Sequence, residues 1–407
     1  MSRIWLICQH HANNCNQVHI RTKHKLKSRK REANMKKLSV LLLIALSSAL
    51  LMTGCGKEEE PAVIEEAVVV ETVETPEEEV VEEEVNEDLP PEEGMVRSRL
   101  TNEWVSEEVG SLRPLAVMVP NDKSTLPQYN LTNADILYEC LVEGEITRLM
   151  AVYGDWTELE RVGNIRSCRD YFIYWAFEWD AIYVHAGGPF YIDEVVGRKD
   201  THNLNALTAP SGVFYRTTDR SAPQNLYLDG ADIYKEASRL GYPLEIRTDY
   251  AEPVHYQFAT KTEPNTLEQY ADSAVAKKID MANAYPVTKT WFEYNEEDGL
   301  YYRFQKPSNG PHMDAATNQQ LAFKNVLVQF TYHEVRDAKG YLAFQCIDST
   351  RDGWYFTNGR GIHVTWEKSS DYGTTRYYDD NGNEIQLNTG KTMVCIVEDG
   401  DTFAFED

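Results

Sequence analysis

The chain has 407 residues, with 40 Lys+Arg against 65 Asp+Glu and a net charge of -25. At roughly 100–200 residues per domain, this length predicts two domains. The acidic excess denies the folded part the positive field that binding to phosphate backbones requires, so a nucleic-acid partner is excluded.

The charges are sorted along the chain. Residues 1–37 hold ten basic side chains and one acidic, Glu32, whereas 57–95 hold one basic, Lys57, and seventeen acidic. Met35-Lys36-Lys37 opens a basic n-region, Leu38 to Met52 forms an apolar run, and Thr53-Gly54-Cys55 supplies a small-residue cleavage site. That run is about 15 residues, short of the roughly 20 that span a bilayer as a helix, so residues 35–54 are predicted to be a signal peptide. Residues 1–34 are basic and polar ahead of an otherwise complete signal, which predicts that translation starts at Met35. Residues 55–103 are predicted to be a disordered acidic tether, because Glu, Val and Pro repeats such as Glu82-Glu83-Glu84 bury too little apolar surface to order the chain.

An α/β domain is predicted over 104–258. Leu115 to Val119, Ala134 to Val142, Ile146 to Tyr153 and Ala181 to Ala186 read as strands, with Glu143-Gly144-Glu145 as a hairpin connection. Ser167 and Asp170 form an S-x-x-D capping box ahead of a helix from Tyr171, and Ala231 to Leu240 is a second helix stopped by Gly241 and Pro243. Residues 259–286 read as a linker. A smaller, mainly antiparallel β domain follows over 287–407, with strands at Val287 to Tyr294, Leu300 to Gln305, Lys324 to Val335, Tyr341 to Ile347, Trp354 to Phe356, Ile362 to Trp366 and Thr392 to Val397.

Polar residues gather at the element ends of the first domain. Arg148, Arg166, Arg169, Arg216 and Arg220, with His185 at a strand end, form a candidate site for an anion, since arginines beside a helix N-terminus suit phosphate or carboxylate. Asp122 and Asp135, each at a strand end, are candidate ligands for Mg²⁺. The plain alternative is that the aspartates cap turns while the arginines pair with carboxylates such as Glu139 and Glu143. His202, and His312 with Asp314, are weaker candidates whose ordinary role is a loop hydrogen bond. Export permits disulfides, and the domain split suggests Cys140 with Cys168 and Cys346 with Cys395, against four buried thiols.

Four segments carry a resemblance: Val142-Glu143-Gly144-Glu145-Ile146-Thr147-Arg148, Asn164-Ile165-Arg166-Ser167-Cys168-Arg169, Asp180 to Gly188, and Arg216-Thr217-Thr218-Asp219-Arg220-Ser221-Ala222-Pro223. With Gly310-Pro311-His312-Met313-Asp314 and Gly353 to Gly359 further on, they resemble the YerB-like family of bacterial lipoproteins, a family of unknown biochemical function with an N-terminal and a C-terminal domain. Met52-Thr53-Gly54-Cys55 resembles a bacterial lipobox. That likeness implies acylation of Cys55, insertion of the acyl chains into the bilayer and a place on the outer face of the cytoplasmic membrane. The order of Asp122, Asp135, Arg169-Asp170 and Ala186-Gly187-Gly188-Pro189 is similar to the LytR-CpsA-Psr wall-polymer transferases. This second likeness implies a Mg²⁺-dependent phosphotransferase on polyprenyl-linked wall glycan. The two expectations are a binding protein for an anionic small molecule or wall glycan, with a protein partner on the β domain, and that enzyme.

Overall fold

The computed structural model describes residues 86–407. The upstream extension, the signal, Cys55 and the acidic run to residue 85 lie outside the described residues.

Eleven strands build the main sheet. The first half of the chain supplies β1 (Leu115–Pro120), β2 (Ile136–Leu141), β3 (Thr147–Tyr153), β4 (Ile182–His185) and β5 (Asn203–Asn205). The second half supplies β6 (Ala274–Val275), β7 (Asn325–Thr331), β8 (Asp348–Thr357), β9 (Arg360–Lys368), β10 (Arg376–Tyr378) and β11 (Thr392–Glu398). Their order is β6-β9-β8-β7-β11-β2-β3-β1-β4-β5, with β10 also on β9. Every residue of β1, β2 and β3 is buried, which is why these segments read as mainly apolar runs, broken by Glu139, Thr147 and Arg148, rather than as alternating ones.

The last long strand of the chain lies at the middle of this sheet. β11 pairs in parallel with β7, from Asn325 opposite Thr392 to Thr331 opposite Glu398, and in parallel with β2, from Ile136 opposite Thr392 to Glu139 opposite Cys395. The expected separate β domain is therefore corrected. Its long strands extend the sheet of the first half, and what stands apart is a six-stranded sheet that includes Lys278–Asp280, Trp291–Asn295 and Leu300–Gln305.

Two layers cover the main sheet. Successive side chains on a strand point to opposite faces. On β3, Thr147 meets Thr288, between two strands of the second sheet (2.8 Å), whereas Arg148 reaches Ser167 ahead of helix α1 (Asp170–Phe177). The aromatic stripe of α1 packs across the halves, with Tyr171 edge-on to Phe344 at 4.9 Å. The second longer helix, α2 (Gly230–Arg239), buries Ile233 and Ala237. The fold is mostly β, and the helical layer of the expected α/β sandwich is thin.

Local expectations fail where tertiary partners outbid local ones. The tether does not run to residue 103: Met95–Arg97 pairs with Trp104–Ser106, Trp104 Nε1 donates to Glu87 O (3.0 Å), and Asp88 accepts from the Lys261 backbone (3.0 Å). The linker is also structured, since Ala274–Val275 pairs with Arg360 and Gly361 and Lys278–Asp280 pairs with Trp291–Glu293. The Ser167/Asp170 capping box does not form. Arg169 is the N-cap and has no side-chain cap, Ser167 Oγ is taken by Arg148 and Arg169, and Asp170 binds Arg336. Cys140, Cys168, Cys346 and Cys395 are buried free thiols, so neither suggested bridge is present.

A buried polar network near α1 makes stability depend on pH. Glu178 accepts from Tyr138 (2.5 Å) and from the hydroxyl of Thr375 (2.6 Å), with Lys368 at 3.9 Å and His255 at 3.7 Å. Burial raises the pKa of Glu178, but Lys368, His255 and Thr375 outweigh it and bring it to about 2, below the ordinary 4.5. Burial takes His255 down from 6.5 to about 4. Both folded pKa values lie below the unfolded ones, so the unfolded chain binds these protons more readily. The His255 contribution is lost as pH falls from about 6.5 to 4, and that of Glu178 from about 4.5 to 2. Asp135, raised by burial from 3.8 to about 6, opposes them between those two values. Denaturant midpoints are expected to change little between pH 6 and 4.5, where His255 and Asp135 offset each other, and to fall below 4.5, with the Glu178→Gln variant losing that acid limb. A midpoint constant from pH 4.5 to 3 contradicts this account.

Candidate anion-binding site

The strand register sorts the predicted site residues into two ends of the sheet. β1 and β2 both run antiparallel to β3, with Pro120 and Cys140 opposite Arg148 at one end, and Leu115 opposite Tyr153 and Ile136 opposite Val152 at the other. Asp122 follows the first end. There it caps a turn, accepting from Ser124 N (3.0 Å). Asp135 precedes β2 at the far end and accepts from Gly154 N (2.7 Å). About 20 Å of strand separates the two ends, at roughly 3.3 Å per residue. Asp122 and Asp135 therefore do not share a Mg²⁺ site, and the phosphotransferase reading that needs both is corrected. Among the described residues, no three His, Cys, Asp or Glu side chains are grouped closely enough to hold a metal ion.

Three of the predicted arginines do come together, at the C-terminal ends of β1 and β4. Arg166 is fixed by its backbone, its N–H donating to Met118 O (2.8 Å) while its carbonyl accepts from Ala186 N (2.9 Å). Arg148 is 5% exposed; its Nη1 donates to Ser167 O (2.9 Å) and Oγ (3.1 Å), and its buried Nε has no partner. Burial, with Arg169 and Arg166 close by, brings its pKa down to about 10. Among the described residues, neither Arg148 nor Arg166 has a carboxylate within ion-pair distance. Arg169 is the member with a counter-charge, its Nε donating to Glu143 Oε1 (2.7 Å) and its Nη2 to Glu143 Oε2. Tyr341 of the second half lies 5.5 Å from the Arg169 guanidinium, and Arg336 binds Asp170 at 2.5 Å. The free N–H groups that open α1 add partial positive charge beside Arg169.

The remaining candidates serve local structure. Arg216 is exposed and donates to Asn225 Oδ1 (2.9 Å). Arg220 holds the carbonyls of Thr125 (2.6 Å) and Pro127 (2.5 Å). His185 is buried between Gly187 O (2.9 Å) and Asn203 Oδ1 (3.2 Å), and burial lowers its pKa. His202 lies against Arg113 Nη1 (2.6 Å) and stacks on Tyr242. Asp314 staples the halves, accepting from Asn130 N (3.0 Å) and Thr132 N (2.7 Å), while His312 meets Gln128 Oε1 at 2.8 Å.

Sequence reasoning missed Lys324, Lys391 and Asn358. They gather near Asp135 in a cleft of about 670 Å³ at the far end of the sheet. A lysine after Gly390 and one before a strand carry no local signal, because their neighbourhood forms only when β11 enters the sheet.

Residues 100–243 match the model described as "Protein of unknown function (DUF3048) N-terminal domain", and residues 279–394 match the corresponding C-terminal domain. The chain is 27% identical over 314 residues to "Putative lipoprotein YerB" of Bacillus subtilis (strain 168), covering 77% of this chain and 89% of that protein. A crystal structure of the YerB protein from Bacillus subtilis is similar with a TM-score of 0.65 and 25% identity, over 76% of this chain and 99% of that one. With both halves matched in order and the fold shared with a solved relative, the chain belongs to the DUF3048 family, the YerB-like family that its motifs resemble.

Proposed function

We propose that the protein is a lipoprotein held at the outer face of the cytoplasmic membrane through Cys55, and that its folded region binds a phosphate- or carboxylate-bearing ligand at Arg148, Arg166 and Arg169. The observation that carries the binding reading is the buried, uncompensated Arg148. A desolvated guanidinium beside two others, with Glu143 as the cluster's carboxylate, is costly unless an anion completes it. The planar forks of Arg148 and Arg166 match two oxygens of one phosphate or carboxylate. The anchoring reading rests on Met52-Thr53-Gly54-Cys55 and on the similarity to a protein named as a lipoprotein. No helix among the described residues is long and apolar enough to cross a membrane. A tethered site facing the wall would meet the phosphates or carboxylates of wall glycan, and the exposed face of the second half is left for a protein partner.

Thermal unfolding with inorganic pyrophosphate, against sodium chloride of equal ionic strength, tests the site. At a hundred times the dissociation constant, stabilisation of about 2.7 kcal/mol is expected. It is expected to vanish in Arg166→Ala and to persist in Arg216→Ala. A response no larger than that to chloride, for pyrophosphate and citrate alike, defeats the binding reading. Cys55→Ala is expected to move the protein from the membrane fraction to the soluble one, and continued membrane retention defeats the anchor.

A further inference from the structure

The far end of the sheet holds a second site, built by both halves and separate from the arginines. Asp135, Gly154 and Asp155 form one wall of the 670 Å³ cleft; Lys324, Asn358 and Lys391 form another. A cavity of about 490 Å³ adjoins it and shares Leu300, Ala322 and Lys391. Volumes of 300–1,000 Å³ enclose small organic ligands.

The walls are tied together by hydrogen bonds. Asn325 Nδ2 donates to Asn388 O (2.8 Å), Asn388 N donates back to Asn325 Oδ1 (3.0 Å), and Asn388 Nδ2 reaches Thr357 Oγ1 (2.9 Å). Gly390 has φ +133°, and a Cβ there would lie 2.8 Å from Lys324 Cβ, so glycine lets this turn close onto the lysine. Lys324 Nζ is aimed by Asn358 Oδ1 (2.7 Å), Lys391 Nζ by Thr132 O, and the Asp135 carboxylate by Gly154 N (2.7 Å).

These anchors keep opposite charges apart. Asp135 and Lys391 act on one another electrostatically, yet they do not approach within 4.0 Å. Asp135 Oδ1 makes no hydrogen bond among the described residues, and an ammonium has three donors, of which Lys391 uses one and Lys324 two. Asp135, Lys324 and Lys391 are half-buried, and burial raises Asp135 to about 6 and lowers both lysines. The lining has no aromatic ring on which a sugar would stack, and its two signs of charge disfavour a simple ion. Leu300, Val105 and Ala322 supply apolar surface beside hydroxyls such as Thr389.

We propose that this cleft binds a zwitterionic short peptide, its ammonium on Asp135 and its carboxylate on Lys391 and Lys324. A ligand carrying both charges completes both walls at once, and the volume exceeds what a single amino acid fills.

Calorimetric titration of the full chain with trialanine, N-acetyl-trialanine and trialanine amide tests this, with free alanine as the arm for a single amino acid. Trialanine is expected to bind, and each blocking group to weaken it tenfold or more. Asp135→Asn, which keeps an acceptor for Gly154, is expected to weaken trialanine tenfold and to erase the difference made by acetylation. Lys391→Gln is expected to do the same for amidation, and Arg216→Ala, which lies outside both sites, to change none of it. Should Lys391→Gln fail to fold, the acetylation arm in Asp135→Asn still decides. The proposal is overturned if no trialanine form binds, if binding ignores both blocking groups, or if free alanine binds as tightly as trialanine.

Discussion

Replacing Arg303 by Met while Glu139 remains is expected to cost about 3–5 kcal/mol, because it leaves a fully buried carboxylate without its counter-ion. Both side chains are 0% exposed, and Arg303 Nη2 meets Glu139 Oε2 at 2.7 Å. The pair sits between the two sheets. Glu139 comes from β2 and also accepts from Asn121 (3.2 Å) and Thr290 (3.1 Å), while Arg303 comes from the second sheet and contacts His312. Few other partners could take over, since water has no access and Arg303 Nε already lacks one. Glu139→Gln should cost a similar amount for the mirror reason. The double variant Glu139→Gln/Arg303→Met should cost less than the two singles added, since it buries no orphan charge. Guanidinium unfolding of the four proteins in the cycle measures this. Singles that each lose under about 1 kcal/mol would mean that the pair is hydrated or replaceable.

Ending the chain at Gly390 is expected to abolish folding of both halves, although it removes only the last 17 residues. β11 buries Met393, Val394, Cys395, Ile396 and Val397 between β7 and β2. At roughly 1.5–3 kcal/mol for a large buried apolar side chain, that loss rivals a whole domain's stability of about 5–15 kcal/mol. It also bares two long central strand edges that invite aggregation. For the same reason a fragment of residues 104–258 is expected to lack a cooperative melt, since β2 would become an edge strand with both faces apolar. Circular dichroism melts and gel filtration of the two truncated chains check this. A sharp unfolding transition in either one would restore the picture of two independent domains.

Much of the local structure was legible in the residues. Mainly apolar runs announced β1, β2 and β3, and Gly241 with Pro243 marked the end of α2. Arg166 and Arg169 flank one helix start along the chain, whereas Arg148 comes from β3 and reaches them only through the fold. Their separation from Asp135 was not legible. Asp122 and Asp135 are 13 residues apart along the chain, yet antiparallel pairing through β3 puts them at opposite ends of the sheet. The plain alternative was right for Asp122, which caps a turn, and for Arg169, which pairs with Glu143; Glu139, however, pairs with Arg303.

By itself the sequence determined where the chain is polar or apolar, which segments extend or coil, and which family it resembles, because periodicity, turn residues and contiguous motifs act within a few residues. Tertiary structure alone decided that the halves share one sheet, that Arg148 is buried without a carboxylate, and that Asp135 faces Lys391. Each of these depends on strand order and register, which are set by which apolar faces find cover and by loop closures across hundreds of residues. A lysine near the end of the chain and an aspartate near residue 135 become neighbours only when β11 takes its place between β7 and β2.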